Sequence, residues 1–212
     1  MIIRCFFEHM KSPIDVFSDW ARDGRDEAMA DGHTSSVKAM LDFSLKDQTN
    51  PFSFIDAGCG NGWVVRMAGQ HSLCKSATGV DGAQSMIKKS ESFDLDHTYH
   101  CSDLLDWAPN KKVDLVHSME VFYYFSNPNL LIQHITDKWL NPEGRLIMGI
   151  DYYTENKPSE NWRTECDISI MTRLSISEWV GMFIHAGLNN IQSWQVGAKD
   201  DWAGTLVVTG IK

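Results

Sequence analysis

The chain has 212 residues, of which 43% are hydrophobic and 22% are charged, and its formal net charge is −9 at pH 7. This length and balance predict a single globular domain, 1–212, with a full hydrophobic core. The acidic charge argues against nucleic acid as a partner, because phosphate-binding proteins usually carry basic patches.

Two further absences favour a cytoplasmic protein without a membrane partner. No apolar run reaches the ~18 residues that a membrane-spanning helix needs. The apolar start from Met1 to Phe7 is short and lacks the features of a secretory signal peptide.

The five cysteines, Cys5 among them, contain no C-x-x-C pair and predict neither a disulfide framework nor a zinc site.

The first fifty residues are predicted to form two helices that cover the rest of the chain. Ser12 and Pro13 indicate a helix start, and that helix should run to about Arg22. The stretch 23–32 is predicted to be a solvated loop with glycine hinges. A second helix should follow. The apolar positions expected to be buried are Ile14, Phe17 and Ala21 in the first helix, and Val37, Met40, Leu41 and Leu45 in the second.

From Phe52 onward, strands and helices alternate, which predicts a parallel sheet with helices on both faces. After the first strand, further strands are expected at 77–81, 98–101, 113–118 and 145–150, with helices at 83–91 and 128–139 and a turn at 141–144. A polar loop, 151–173, is the segment expected to set specificity. It leads to a helix capped by Ser177 and ended by Gly187, and then to a hairpin of strands 190–196 and 205–211.

The glycine-rich turn after the first strand is the strongest local motif. It reads Asp56-Ala57-Gly58-Cys59-Gly60-Asn61-Gly62 and leads into a helix. A glycine turn between a strand and a helix is typical of nucleotide-like ligand sites, although a purely structural turn is the alternative. A dinucleotide-binding motif would place its third glycine at position 63, where this chain has Trp63.

This turn resembles the first motif of the class I S-adenosylmethionine (SAM) dependent methyltransferases. The resemblance spans about residues 52–150 and the terminal hairpin, an ending that a usual dehydrogenase lacks. It implies an α/β fold, namely a seven-stranded doubly wound sheet with an antiparallel last strand. The N-terminal helical cap would be 1–50 and the Rossmann-like core 51–212, with SAM as the cofactor.

The resemblance also implies a set of cofactor-binding residues. Asp81 follows the second strand and would accept from the ribose hydroxyls, with a helix N-cap as the alternative role. Asp103 and Leu104 would bind the adenine, with a solvated loop position as the alternative for Asp103 and Asp106 as a nearby competitor. The backbone of Met119 would bind the methionine ammonium group. The full set is Asp56, Gly58, Cys59, Gly60, Gly62, Asp81, Gly82, Asp103, Leu104 and Met119.

Methyl transfer needs mainly alignment, and it needs a base only when the acceptor must lose a proton. The candidate catalytic residues are Glu120, Tyr123 and His33, while His117 and Tyr124 compete with them. A core or surface role is an alternative for each of these residues. The stretch 20–33 is expected to act as a lid, in which Arg25 would meet the methionine carboxylate.

No metal is expected. Glu120 and Asp151 end the strands that carry the catechol-type magnesium ligands, but Tyr152 stands where that family has asparagine.

Taken together, these motifs predict a SAM-dependent methyltransferase, monomeric or homodimeric, that acts on a small molecule. An RNA methyltransferase and a non-catalytic SAM- or nucleotide-binding module are the alternatives.

Overall fold

A seven-stranded sheet forms the centre of the computed structural model, which describes residues 10–212 except the side chain of Met29. Met1 to Phe7, with Cys5, lie outside the described residues. The strand order is β3-β2-β1-β4-β5-β7-β6. The strands are β1 (Phe52–Ala57), β2 (Cys74–Asp81), β3 (Thr98–Cys101), β4 (Val113–Met119), β5 (Leu140–Ile150), β6 (Asn189–Val196) and β7 (Thr205–Ile211).

The first five strands pair in parallel, and β7 runs antiparallel to both β5 and β6. The predicted fold class is therefore confirmed. In an open parallel sheet, ligands bind where the carboxyl ends of the strands meet. The ends of β1, β2, β4 and β5 share that edge.

Helices cover both faces of this sheet, and a hydrophobic cluster lies between each face and its helices. The helices are α1 (Pro13–Asp23), α2 (Arg25–Leu45), α3 (Trp63–Gly69), α4 (Gln84–Phe93), α5 (Pro128–His134), α6 (Trp162–Glu165) and α7 (Ile176–His185). Among the described residues, none of these helices combines the length and the apolar character that a membrane crossing requires.

The N-terminal cap differs from the prediction in two respects. In α1 the buried residue is Val16, whereas Ile14 is 45% exposed. The predicted loop 23–32 is wrong, because α2 already begins at Arg25 and only Gly24 separates the two helices. Gly24 adopts φ 75°, which ends α1 in a left-handed residue and lets the next helix start at once. Acidic side chains in the first turn of α2 favour that start.

Three boundaries in the second half of the chain also differ. The region 141–144 is a bulge within β5, whose register moves from Val113↔Leu140 to Leu115↔Arg145. The helix predicted at 128–139 turns into a π-helical segment at Ile135–Trp139. The N-cap of α7 is Ser175 rather than Ser177, because Ser175 and Glu178 form a reciprocal capping box.

The segment 151–173 is more ordered than a polar loop. Tyr153 is fully buried and donates a hydrogen bond to the carbonyl of Gly204 at 2.9 Å. Asn156 is also buried, and its amide donates to the carbonyl of Asp151 at 2.8 Å. A parallel bridge between Lys11 and Ile168 ties the segment to the start of α1. These contacts fix the end of β5 beside the cap.

Candidate functional site

A cavity of about 360 Å³ lies at the carboxyl edge of the sheet, under α1 and α2. Its size falls within the usual range of small-ligand sites. Every residue of the predicted cofactor set except Gly62 lies in its wall. Those residues are Asp56, Gly58, Cys59, Gly60, Asp81, Gly82, Asp103, Leu104 and Met119.

The three glycines of the turn differ in what a side chain at each position would meet. All adopt positive φ, at 78° for Gly58, 52° for Gly60 and 76° for Gly62. A Cβ on Gly58 would lie 2.2 Å from a methyl group of Val121, and one on Gly62 would lie 2.6 Å from the ring of Tyr99. A Cβ on Gly60 would meet nothing within 4 Å. Gly60 therefore presents bare backbone to open space in the cavity.

Asp81 connects the glycine turn to the segment before α4. Its carboxylate accepts from the backbone N–H of Gly60 at 2.9 Å and from that of Ala83 at 2.8 Å. A carboxylate has about four acceptor positions, so two remain for hydroxyls of a ligand. Burial raises the pKa of Asp81, while the two N–H bonds act in the opposite direction.

Asp56 pairs with His117 on the neighbouring strand. The Nδ1 atom of His117 lies 2.7 Å from Asp56 Oδ1, and both residues are buried. Asp56 reaches the cavity wall, but His117 does not. The structure thus places His117 in the core, where it holds the Asp56 carboxylate at the end of β1.

A polar network that the sequence gave no sign of anchors α2 to the glycine turn. Asp26 is only 5% exposed and accepts from the Asn61 amide at 2.7 Å and from Lys89 Nζ at 2.8 Å. Lys89 also forms an ion pair with Glu27 at 2.9 Å. Arg25, which was expected to meet a carboxylate of the cofactor, is instead exposed and absent from the cavity wall.

At the other end of the cavity, two of the three candidate catalytic residues come together with Asp151. Glu120 and His33 both lie in the wall. Glu120 Oε1 accepts from the backbone N–H of Asp151, and His33 Nε2 lies 3.3 Å from Asp151 Oδ2. Burial, and then the charge of Asp151, raise the pKa of Glu120 to about 8. The carboxyl group of Glu120 therefore favours its protonated form at neutral pH.

The third candidate, Tyr123, stands behind Glu120 rather than in the wall. Its hydroxyl donates to Glu120 Oε2 at 2.7 Å, and burial raises its pKa well above the ordinary value. The tyrosine in the wall is Tyr124, which packs edge-on against Phe17 with ring centroids 5.2 Å apart. The structure therefore brings Tyr124 to the cavity, whereas Tyr123 lies behind the wall and contacts the carboxylate of Glu120.

Several apolar residues of the wall were not identified from the sequence. They are Ile14, Met86, Val121, Phe125 and Ile170. Ile14 lies against Gly82, where a Cβ would approach its Cδ1 atom to 2.8 Å. The helical spacing of Ile14 and Phe17 is a usable signal for this face of α1, although the same spacing also predicts a stripe that faces the core.

Comparisons with known proteins fit this geometry. A family model described as a methyltransferase domain matches residues 30–193. Trans-aconitate 2-methyltransferase of Escherichia coli is 27% identical over 93 residues, which span 44% of this chain and 36% of that protein. This match thus covers only about a third of that curated relative.

Solved structures resemble most of the chain. One is a chain from the complex of the Haloferax volcanii Trm112 methyltransferase activator, with a TM-score of 0.78 and 27% identity over 92% of this chain and 96% of that one. Another is the N-methyltransferase NodS from Bradyrhizobium japonicum, solved with S-adenosyl-L-homocysteine. Its TM-score is 0.64 at 16% identity, over 83% of this chain and 85% of that one, and this likeness shows the fold alone.

Proposed function

Since this chain belongs to the methyltransferase domain family and is a class I SAM-dependent methyltransferase, we propose that its methyl acceptor is a small molecule. The observation that carries the proposal is the set of residues in the cavity wall, which the N-terminal cap and the sheet edge supply together. Phe17 from α1 and Ala30 and His33 from α2 lie in the wall with Glu120 and Tyr124, and the ring of Phe17 contacts that of Tyr124. A cavity volume of about 360 Å³ is within the range of sites for small ligands.

The cofactor end supports a residue-by-residue assignment. Asp81 keeps two acceptor positions for the ribose hydroxyls. We assign the adenine to Asp103 and the buried Leu104, because both lie in the cavity wall, and Gly60 offers backbone without a side chain. When bound, SAM supplies a methyl group that its sulfonium already activates.

The acceptor end contributes orientation and exclusion of water. Aligning an acceptor in an apolar cavity supplies much of what methyl transfer requires. Phe17 and Tyr124 provide the apolar surface, and Glu120 and His33 provide the polar groups. Tyr123 is a positioning residue in this scheme, because its hydrogen bond fixes the Glu120 carboxylate.

The test is transfer of a radiolabelled methyl group from SAM to a cell extract, followed by separation into small molecules, RNA and protein. We expect the label in the small-molecule fraction. Asp81→Asn should abolish it, and the matched control Asp47→Asn, at an exposed position outside the cavity wall, should not. Label that appears only in RNA or protein would overturn the proposal.

A further inference from the structure

One imidazole and two carboxylates meet at the acceptor end of the cavity, although they lie far apart in the sequence. His33 comes from α2, Glu120 follows β4 and Asp151 follows β5. One ligand atom from each lies within 4.8 Å of the other two. Glu120 is 7% exposed and Asp151 4%, so both carboxylates are largely removed from water.

Within the part of the chain that the structure describes, the hydrogen bonds of this cluster leave one carboxylate oxygen unpaired. Asp151 Oδ1 is buried and, among the described residues, has no hydrogen-bond partner. A buried carboxylate oxygen without a partner is costly and calls for an unseen ion or water. Glu120 Oε2 accepts a hydrogen bond from the Tyr123 hydroxyl, and Glu120 Oε1 accepts one from the backbone N–H of Asp151. Both oxygens keep further lone pairs.

The distance between His33 and Asp151 is also informative. The 3.3 Å separation of Nε2 and Oδ2 is longer than the ~2.8 Å of a good charged hydrogen bond. Two ligands bonded at ~2.1 Å to one tetrahedral zinc ion lie about 3.4 Å apart. The observed pair therefore has the spacing of two ligands on one cation, and a carboxylate oxygen of Glu120 lies within 4.8 Å of both atoms.

We propose that His33, Glu120 and Asp151 bind a divalent first-row cation of the Mn²⁺ or Zn²⁺ class. One imidazole with two carboxylates suits these ions. Tyr123 and the Asp151 backbone orient the Glu120 carboxylate, as outer groups commonly do for metal ligands. His33 takes the third position, so the tyrosine at position 152 does not exclude a metal as the sequence suggested.

The open coordination positions would face the cavity, because His33 and Glu120 lie in its wall. A cation there would hold an acceptor through a hydroxyl or carboxylate oxygen and ease loss of the hydroxyl proton. This consequence for the acceptor rests on the proposed function, whereas metal binding itself does not.

The test uses the full chain, stripped of metal with a chelator and without SAM. Mn²⁺ is titrated in and the loss of the free-ion electron paramagnetic resonance signal is followed; a hard ion avoids the thiols. We expect one ion per chain. His33→Gln and Asp151→Asn should each weaken binding by at least about tenfold. The control His185→Gln, at an exposed position on α7, should bind as the parent does.

No binding at millimolar Mn²⁺, or equal binding by the parent and both variants, would overturn the metal site. If Asp151→Asn fails to fold, His33→Gln carries the test, since that side chain is partly exposed. SAM affinity measured in the presence of chelator tests the cofactor site separately. Failure of the metal proposal can thus be told from failure of the proposed function.

Discussion

At the scale of single residues, the glycine turn divides its tasks among three positions. Gly58 and Gly62 are required by packing against Val121 and Tyr99, respectively. Gly60 has free space above it, so that beyond its positive φ a side chain is excluded only if a ligand comes close to the backbone. The motif alone could not separate these roles, because all three glycines share positive φ.

We expect Gly60→Ala to weaken SAM binding by at least about tenfold, or ~1.4 kcal/mol, because the new methyl group enters the cavity. The fold should lose only about 1–2 kcal/mol for a left-handed alanine. Gly62→Ala should unfold at a lower temperature than Gly60→Ala, since its methyl group meets Tyr99. Calorimetry and thermal unfolding measure the two effects. Unchanged SAM affinity in Gly60→Ala would contradict the assignment.

Asp94 supports the glycine turn through Tyr99. Its Oδ2 atom accepts from the Tyr99 hydroxyl and lies close to His97 Nδ1, each at 2.6 Å. Burial opposes ionisation of Asp94, but these contacts prevail and lower its pKa. A pKa that is lower in the folded than in the unfolded chain stabilises the fold above pH ~4, and this contribution is lost as the pH falls further.

Asp94→Asn should therefore lower the free energy of unfolding by roughly 1–3 kcal/mol at pH 7 and flatten its decline in acid. Urea unfolding between pH 7 and pH 3 measures both. The exposed neighbour Asp96 offers a matched control, Asp96→Asn, which should retain the parental pH dependence. If the stability of Asp94→Asn declined in acid as steeply as that of the parent, the decline would have to come from another carboxylate.

At the scale of elements, α7 provides a direct test of where a helix begins. The Ser175 hydroxyl accepts from the backbone N–H of Glu178, whereas Ser177 lies inside the helix. Ser175→Ala should cost about 1 kcal/mol of stability. Ser177→Ala should stay within about 0.5 kcal/mol of the parent. Chemical unfolding of the two variants measures these changes in the free energy of unfolding. A larger loss for Ser177→Ala than for Ser175→Ala would support the helix start predicted from the sequence.

Local patterns were enough to predict the sheet and many residues of the cavity wall. Alternation, glycine spacing and the acid after each strand all lie within short segments, and this explains why Asp81 and Gly60, which these patterns mark, lie in that wall. The acceptor end depends on distant pairs. Neither Asp26 beside Asn61 nor His33 beside Asp151 has a periodic signal, because only tertiary folding brings them together. The start of α2 was missed because Gly24 and its charged neighbours are also typical of loops.

At the scale of the whole molecule, α1 and α2 close the cavity unevenly. The second half of α2 is anchored by the buried Val37, Met40 and Leu41. Its first half is largely exposed and is held by Asp26. Segments with few buried apolar contacts open at low free-energy cost. We therefore expect the first half of α2 to be the part of the cap that opens.

We expect SAM or S-adenosylhomocysteine to slow amide hydrogen exchange in α1 and in the first turns of α2, because a bound ligand stabilises the closed form. The strands should change little. Mass spectrometry of exchanged peptides measures this. Protection confined to the strands, with none in α1, would leave the cap as a passive cover.

The two ends of the cavity also differ in how their residues are distributed along the chain. The predicted cofactor residues all lie within 56–119, on consecutive strand ends, whereas the acceptor end combines the cap, Glu120 and Ile170. We therefore expect mutations in the cap or in 151–173 to change the acceptor without disturbing the residues assigned to the cofactor. Under this assignment, evolution could retain one set of residues while the other set changes with the substrate, and a designer could restrict a substitution library to the same two segments.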